Sequence, residues 1–329
     1  MRSESSRIAV IVVEWNSGEL LQRCITSLLQ QTVLPKCIVV VDNGDGTKEC
    51  EVAPKSDRIE LVCAHRNLGF AAANNRAAIH QKIQDCEWLA LINPDAVADE
   101  CWLERMVRAA DGFGSTYAFL GSRLINEYQR AQLDGAGDIY HVSGSHWRRG
   151  YGELAEGNYG GYEEIFSPCA AAAFYRKDVF LEIGGFDESF FCYAEDMDLG
   201  FRLRVAGHRC LYVPDAFVYH IGSAITGRRS DFTVYHGHRN LVWVFVKNMP
   251  GVLLWLYLPQ HLLFNLVSIV WYTVRGQGRV ILRAKWDAIK GLPRVWAQRK
   301  AIQAKRKVGV WELRRLMARG WLTPYLRRR

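Results

Sequence analysis

Residues 91–100 read LINPDAVADE. An apolar run, Leu89 to Ile92, stops at Asn93-Pro94, and the first charge after it is Asp95. Proline has no N–H to give a sheet ladder, so it closes a central strand. The carboxylate that follows has two readings. Either it caps a helix that starts there, or it stands at the C-terminal edge of a sheet and faces a ligand.

The flanking sequence bears on that choice. RIAVIVVEW (7–15) predicts a buried strand. Ser17 is placed to cap the helix GELLQRCITSLLQQ (18–31), where Leu20, Leu21, Cys24 and Leu28 are spaced for one face. KCIVVVD (36–42) and RIELVCA (58–64) predict two more strands, RNLGFAAANNRAAIHQKI (66–83) a turn and an alanine-rich helix, and EWLALIN (87–93) a fourth strand. Strand and helix alternating at this spacing imply a mostly parallel α/β sheet with helices on both faces. Three strands end on polar groups: Asn16, Asp42 and Asp95. Open α/β sheets bind ligands beyond the carboxyl ends of their strands. That favours the ligand-facing reading of Asp95.

Hydrophobic residues are 49% of the 329 and charged residues 23%, the balance of a folded globular chain rather than a disordered one. Nine scattered cysteines without a C-x-x-C pair argue against a disulfide framework or zinc ribbon and fit a reducing compartment. The N-terminus lacks the pattern of a signal peptide. Charge is segregated. From Arg275 to Arg329 there are 17 Lys/Arg and two acids, a net +15, which leaves −7 on the rest of a chain whose total is +8. A mildly acidic body therefore carries a basic tail suited to an anionic partner.

Residues 111–165, rich in Gly, Tyr and His, predict long loops with short strands. Beyond them, AEDMDL (194–199) holds Glu195, Asp196 and Asp198 beside Phe190, Phe191 and Tyr193. Aromatic bulk strips water from a carboxylate and raises its pKa toward that of a general base. The alternative is a solvated acidic first turn favoured by the helix dipole. His220 ends the segment HRCLYVPDAFVYH (208–220). A lone histidine is most often structural, but with Asp95 it offers a nitrogen and an oxygen suited to Mn²⁺ or Mg²⁺ on phosphates. No G-x-G-x-x-G and no P-loop sequence occurs, which speaks against a dinucleotide oxidoreductase and an ATPase.

Taken in order, VVEWNSGELLQRCITSLLQQT, VVVDNGDGT, RNLGFAAANN, LINPDAV, GGFDESFFCYAEDMDLGFRLRVAG and YVPDAFVYHIGSA resemble the family 2 inverting glycosyltransferases over roughly residues 7–240. The likeness is to the rhamnosyltransferase-like branch of bacterial surface polysaccharide assembly. It implies a GT-A fold, with a nucleotide-binding half at about 1–110, an acceptor half at about 111–240 and a helical region from 241 to 329. It implies Asp42 on the base of a nucleotide-sugar donor, and Asn67, Gly69, Phe70, Asn74, Asn16 and Asn93 lining the donor pocket. Asp95 and His220 become ligands of Mn²⁺ or Mg²⁺, and Asp196 the base, with Glu195 and Asp198 beside it. Two departures stand out. The D-x-D motif is reduced to Asn93-Pro94-Asp95, so Asn93 brings no charge, and the loop after Asp42 is shortened to NGDGT. Arg228, Arg229 and Arg239 follow His220 and are expected on a loop that closes over the diphosphate.

Two rivals are a nucleotidyltransferase, which would carry a Gly-rich basic loop where this chain has EWNSGELL, and an inactive membrane-attached assembly protein. A glycosidase also uses two carboxylates but needs no nucleotide pocket. VLLWLYLPQHLLFNLVSIVWYTV (252–274) is long enough to span a bilayer, yet Pro259, Gln260, His261 and Asn265 interrupt it. With its flanking aromatics and the basic tail, it predicts peripheral attachment to an anionic membrane at the cytoplasmic face of the inner membrane, near a saccharide or lipid-linked acceptor. A true span and a buried helix pair are the alternatives. No nucleic-acid partner is expected.

Overall fold

A computed structural model of the chain describes residues 3–46, 50–222, 227 and 229–326, with side chains from residue 7 onward. The chain runs β1 (Ser3–Glu14), α1 (Glu19–Leu29), β2 (Val33–Asp42), β3 (Ile59–Cys63), α2 (Gly69–Ala78), β4 (Trp88–Ile92), β5 (Ala96–Ala98) and α3 (Trp102–Phe113). It continues through β6 (Phe119–Asn126), β7 (Leu133–Gly135), β8 (Asp138–Tyr140), β9 (His146–Arg148), β10 (Glu163–Ile165), β11 (Ala172–Arg176), α4 (Lys177–Glu182), α5 (Glu195–Val205) and β12 (Cys210–His220). Five helices end it: α6 (Asp231–Asn248), α7 (Gly251–Val274), α8 (Gly278–Ala304), α9 (Val310–Arg315) and α10 (Thr323–Leu326).

One ten-stranded sheet carries the order β10-β12-β6-β11-β4-β1-β2-β3, with β5 added to β12 and β7 to β6. Strands β3, β2, β1 and β4 are mutually parallel, and β11 joins β4 to β6 antiparallel. The central strands are buried on both faces. Ala9, Ile11 and Val13 of β1 enter one core and Ile8, Val10 and Val12 the other. That explains their unbroken apolar sequence.

Several expectations are corrected. Ser17 is not a helix cap: α1 begins at Glu19 behind Gly18, and the Ser17 N–H donates to both Glu14 carboxylate oxygens, at 3.0 and 3.1 Å. Asp95 caps no helix either, because β5 follows it and α3 starts only at Trp102. The boundary expected at 240/241 falls inside α6, and that at 110/111 inside α3. No seam separates the C-terminal helices from the body. Trp243, Phe245, Leu253, Ala288, Val295 and Leu313 share one core with Tyr140, Phe190, Met197 and Phe201.

Helix α7 inverts the usual pattern of a surface helix. Its polar residues face the protein: Gln260 donates to the Gly320 carbonyl at 3.1 Å, and His261 bonds the Ser143 carbonyl at 2.7 Å and stacks on Phe245. Trp255, Leu256, Leu262, Leu266, Val270 and Val274 are exposed, as are Leu282, Trp286 and Ile289 of α8. Two of the basic residues counted in the tail, Lys285 and Arg299, are buried and donate to backbone carbonyls. All nine cysteines are free.

Candidate active site

Strand pairing assembles the first cluster. His220, the last residue of β12, pairs with Ala96 of β5, which sets it beside Asp95. Asp95 Oδ1 lies 3.3 Å from His220 Nε2. His220 Nδ1 faces Asp134 Oδ2 of β7 at 2.7 Å, and the Arg148 guanidinium of β9 also pairs with Asp134. The carboxylates and the imidazole are buried, Asp95 7% exposed, His220 1% and Asp134 0%, while Arg148 is half-buried. Burial lowers the His220 pKa, but its contacts with Asp134 and Asp95 outweigh burial and leave it raised. Asp134 fixes the ring orientation from behind, as a carboxylate does behind a metal-bound histidine. At 3.3 Å Nε2 is buried against the Asp95 carboxylate as an ion pair, with no good hydrogen bond of its own. A cation held by Asp95 and Nε2 would satisfy it. The residues present therefore fit a divalent metal.

The second cluster forms at the N-terminus of α5. Asp196 is half-buried. Its Oδ2 accepts from the Ala170 N–H at 3.2 Å and its Oδ1 from the Met197 N–H at 2.7 Å. Gly200 allows the approach of the 166–171 segment, since a Cβ there would meet Ser167 Oγ at 2.1 Å. The turn before α5 is strained: Phe191, Tyr193 and Ala194 have φ of 65°, 69° and 64°. Asn240 of α6 pins it, donating to the carbonyls of Phe190, Cys192 and Tyr193 at 3.0, 2.9 and 2.7 Å.

Three expectations fail here. Asp198 is fully buried, and its carboxylate accepts from Arg202 at 2.8 Å, Lys247 at 2.9 Å and Asn248 at 2.7 Å. It ties α5 to α6 and is not available to take a proton. Glu195 is also buried, and burial with the charge of Asp196 pushes its pKa well above the carboxylate range. That burial sets it apart from the half-buried Asp196. Arg239 lies within α6 rather than on a loop, where it donates to the Phe190 carbonyl at 2.9 Å and covers the Trp243 ring. Arg229 is exposed, and Arg228 lies outside the described residues.

At the ends of β1 and β2, Asp42 is buried, with Oδ1 accepting from the Gly44 N–H at 2.9 Å. Asn43, which sequence reasoning passed over, links this edge to α2: its Nδ2 donates to Asn67 Oδ1 at 3.0 Å and its Oδ1 accepts from the Leu68 N–H at 2.8 Å. Gly69 is obligatory: its φ is 81°, and a Cβ would meet Phe191 at 2.5 Å. This contact joins the α2 turn to the strained turn before α5. Phe70 packs edge-on to Phe186. Asn16 is exposed at the end of β1, and Asn93 is half-buried beside Asp95. Asn74 is corrected: it is buried and donates to the Phe70 carbonyl of its own helix, so it faces inward rather than toward a donor.

The profile described as glycosyltransferase like family 2 matches residues 6–245. The chain belongs to that family. This glycosyltransferase is 29% identical over 247 residues to the N-acetylglucosaminyl-diphospho-decaprenol L-rhamnosyltransferase of Mycobacterium tuberculosis, across 67% of this chain and 78% of the relative. Its fold is that of solved GT-A enzymes. S. aureus TarS 1-349 aligns with a TM-score of 0.54 at 16% identity over 91% of this chain and 87% of that one. GalNAc-T7, crystallised with UDP, GalNAc and Mn²⁺, aligns at 0.56 and 16% over 73% of this chain and 48% of that one.

Sequence reasoning missed Asp134, Arg148 and Asn240 of the glycosyltransferase. The first two fall in the Gly-rich stretch between residues 133 and 150, where three-residue strands leave no periodic signal. An isolated asparagine mid-helix carries no signal of what it bonds.

Proposed function

We propose that this glycosyltransferase transfers L-rhamnose from dTDP-rhamnose, with inversion, to a lipid-linked saccharide in bacterial surface polysaccharide assembly. The observation that carries the mechanism is the buried Asp95–His220 pair at the carboxyl edge of the sheet, its Nε2 facing Asp95 with no good hydrogen bond. Asp95 and His220 would hold Mn²⁺ or Mg²⁺. When bound, such an ion supplies Lewis-acid stabilisation of the charge that develops on a leaving diphosphate. Asp134 and Arg148 orient His220. Asp42, Asn67 and the α2 turn receive the nucleotide. Asp196 accepts the proton of the acceptor hydroxyl as that oxygen attacks the anomeric carbon opposite the diphosphate. The two backbone N–H groups on its carboxylate stabilise its ionised form, which a base needs before it reacts. The rhamnosyl donor and polyprenyl-linked acceptor are supported by the name of the mycobacterial relative, and Mn²⁺ by the ligands of GalNAc-T7.

The acceptor's lipid fits the outward face of α7 and α8. A helix that docks by its polar side chains and turns Trp255, Leu262, Leu266 and Val270 outward, next to a cationic tail, suits the interface of an anionic membrane. The inward pairing of Gln260 and His261 favours this peripheral arrangement over a span.

The test is release of nucleoside diphosphate by the purified full chain. Donors are dTDP-rhamnose and a panel of UDP- and GDP-sugars, given with a polyprenyl-diphospho-saccharide in anionic vesicles. Preference for dTDP-rhamnose and a product of opposite anomeric configuration are expected. Retention by NMR sinks the single-base mechanism. Preference for another donor sinks the rhamnosyl assignment.

A further inference from the structure

We propose that Asp138, Cys169 and Asp196 form a second cation site, separate from Asp95–His220, that takes a thiophilic divalent ion of the zinc class. One ligand atom from each, two carboxylate oxygens and a thiol sulfur, all lie within 4.8 Å of one another. Asp138 is more than nine-tenths buried, and its Oδ1 has no hydrogen-bond partner. Tyr175, which feels the charges of Asp196, Cys169 and Asp138, also buries a hydroxyl without a partner. An unpartnered buried oxygen on one of three convergent ligand residues is what a cation would satisfy.

The donor set selects the ion. Zinc accepts thiolate and carboxylate together, whereas Mg²⁺ and Mn²⁺ prefer oxygen. Charge is compatible: Arg148 is the cation that reaches this cluster, and Asp134 pairs with it. The bound ion takes the carboxylate of Asp196. It rests on the reading of Asp196 as base that such an ion blocks transfer while the Asp95–His220 site stays loaded.

Cobalt(II) added to the full chain tests the site without reference to activity. A near-ultraviolet thiolate-to-cobalt band, at one ion per chain, is expected. It should vanish in Cys169→Ala, weaken in the shape-preserving Asp138→Asn and persist in Asp95→Asn. No band, or a band that survives Cys169→Ala, overturns the proposal. In saturating Mg²⁺, Zn²⁺ should inhibit transfer, and Cys169→Ala should raise the inhibitory concentration at least about tenfold, each relative to its own uninhibited rate. A cobalt band without zinc inhibition upholds the site and overturns Asp196 as base.

Discussion

The sheet edge and helix α7 both bury polar side chains, and they do so to opposite ends. At the sheet edge His220 Nε2 has no good hydrogen bond, and Asp138 Oδ1 on β8 and Tyr175 Oη on β11 have no hydrogen-bond partner. In α7 most buried polar groups are satisfied, Asn265 Oδ1 being the exception. Gln260 and His261 bond backbone carbonyls of distant segments, and Ser268 bonds its own helix. Unsatisfied buried polar atoms weigh against stability, so a site keeps them only where a ligand completes them. Satisfied ones act as fasteners. In α7 they leave the apolar side chains facing outward, where no described residue covers them.

The comparison can be broken at its chemical end first. Asp196→Asn removes the proposed base, so the transfer rate should fall about 10²- to 10⁴-fold while nucleoside diphosphate still binds, read by calorimetry. Near-normal turnover returns the base role to the open. Asp134→Asn touches no substrate in this account and acts through His220. It should weaken the apparent Mn²⁺ affinity about 10- to 100-fold, with a smaller change in rate at saturating metal. A loss that no metal concentration recovers means that Asp134 does more than orient the ring.

The fastening logic predicts a stability effect. Lys247, 2% exposed, holds Asp187 at 2.6 Å and Asp198 at 2.9 Å. Burial works against ionised Asp187, and the Lys247 charge overcomes it, leaving its pKa low. Lys247→Met leaves Asp187 without its cation and Asp198 with the Arg202 cation alone, and should cost about 3–5 kcal/mol in urea unfolding. On the outer face, Leu266→Glu should leave the melting temperature within a few degrees and lower binding to anionic vesicles. Unchanged vesicle binding removes α7 from the membrane surface.

The last effect is a pH slope. An ordinary aspartate titrates near 3.9, whereas Asp138 titrates at about 8. The folded chain therefore keeps a proton that the unfolded chain has released. That contribution is present below about pH 4 and is lost as pH rises through about 8. Stability should fall with pH across this window by up to about 1.4 kcal/mol per unit, and Asp138→Asn should flatten the slope. Equal slopes in both proteins place the titration elsewhere.

What the sequence determined by itself is what short-range periodicity encodes. The doubly buried strands, the polar groups at their carboxyl ends and the acidic turn before α5 could all be read there, as could Asp95 and His220 as candidates. Those features are local: a strand's face pattern and a proline's missing N–H act within a few residues. Tertiary structure decided the rest, because it depends on which distant groups meet. Asp196 and Asp198 are two residues apart and look alike in the sequence. One stays half-buried beside Asp138, and the other is consumed by Lys247, Arg202 and Asn248. Asp134 reaches His220 only because β7 pairs with β6 and β6 with β12. The sequence of α7 predicts an interfacial helix, with a span and a core helix as alternatives. Which face of it packs on the protein, with Gln260 and His261 turned inward, was decided by tertiary structure, since a helix's outward face is fixed by what the other face binds.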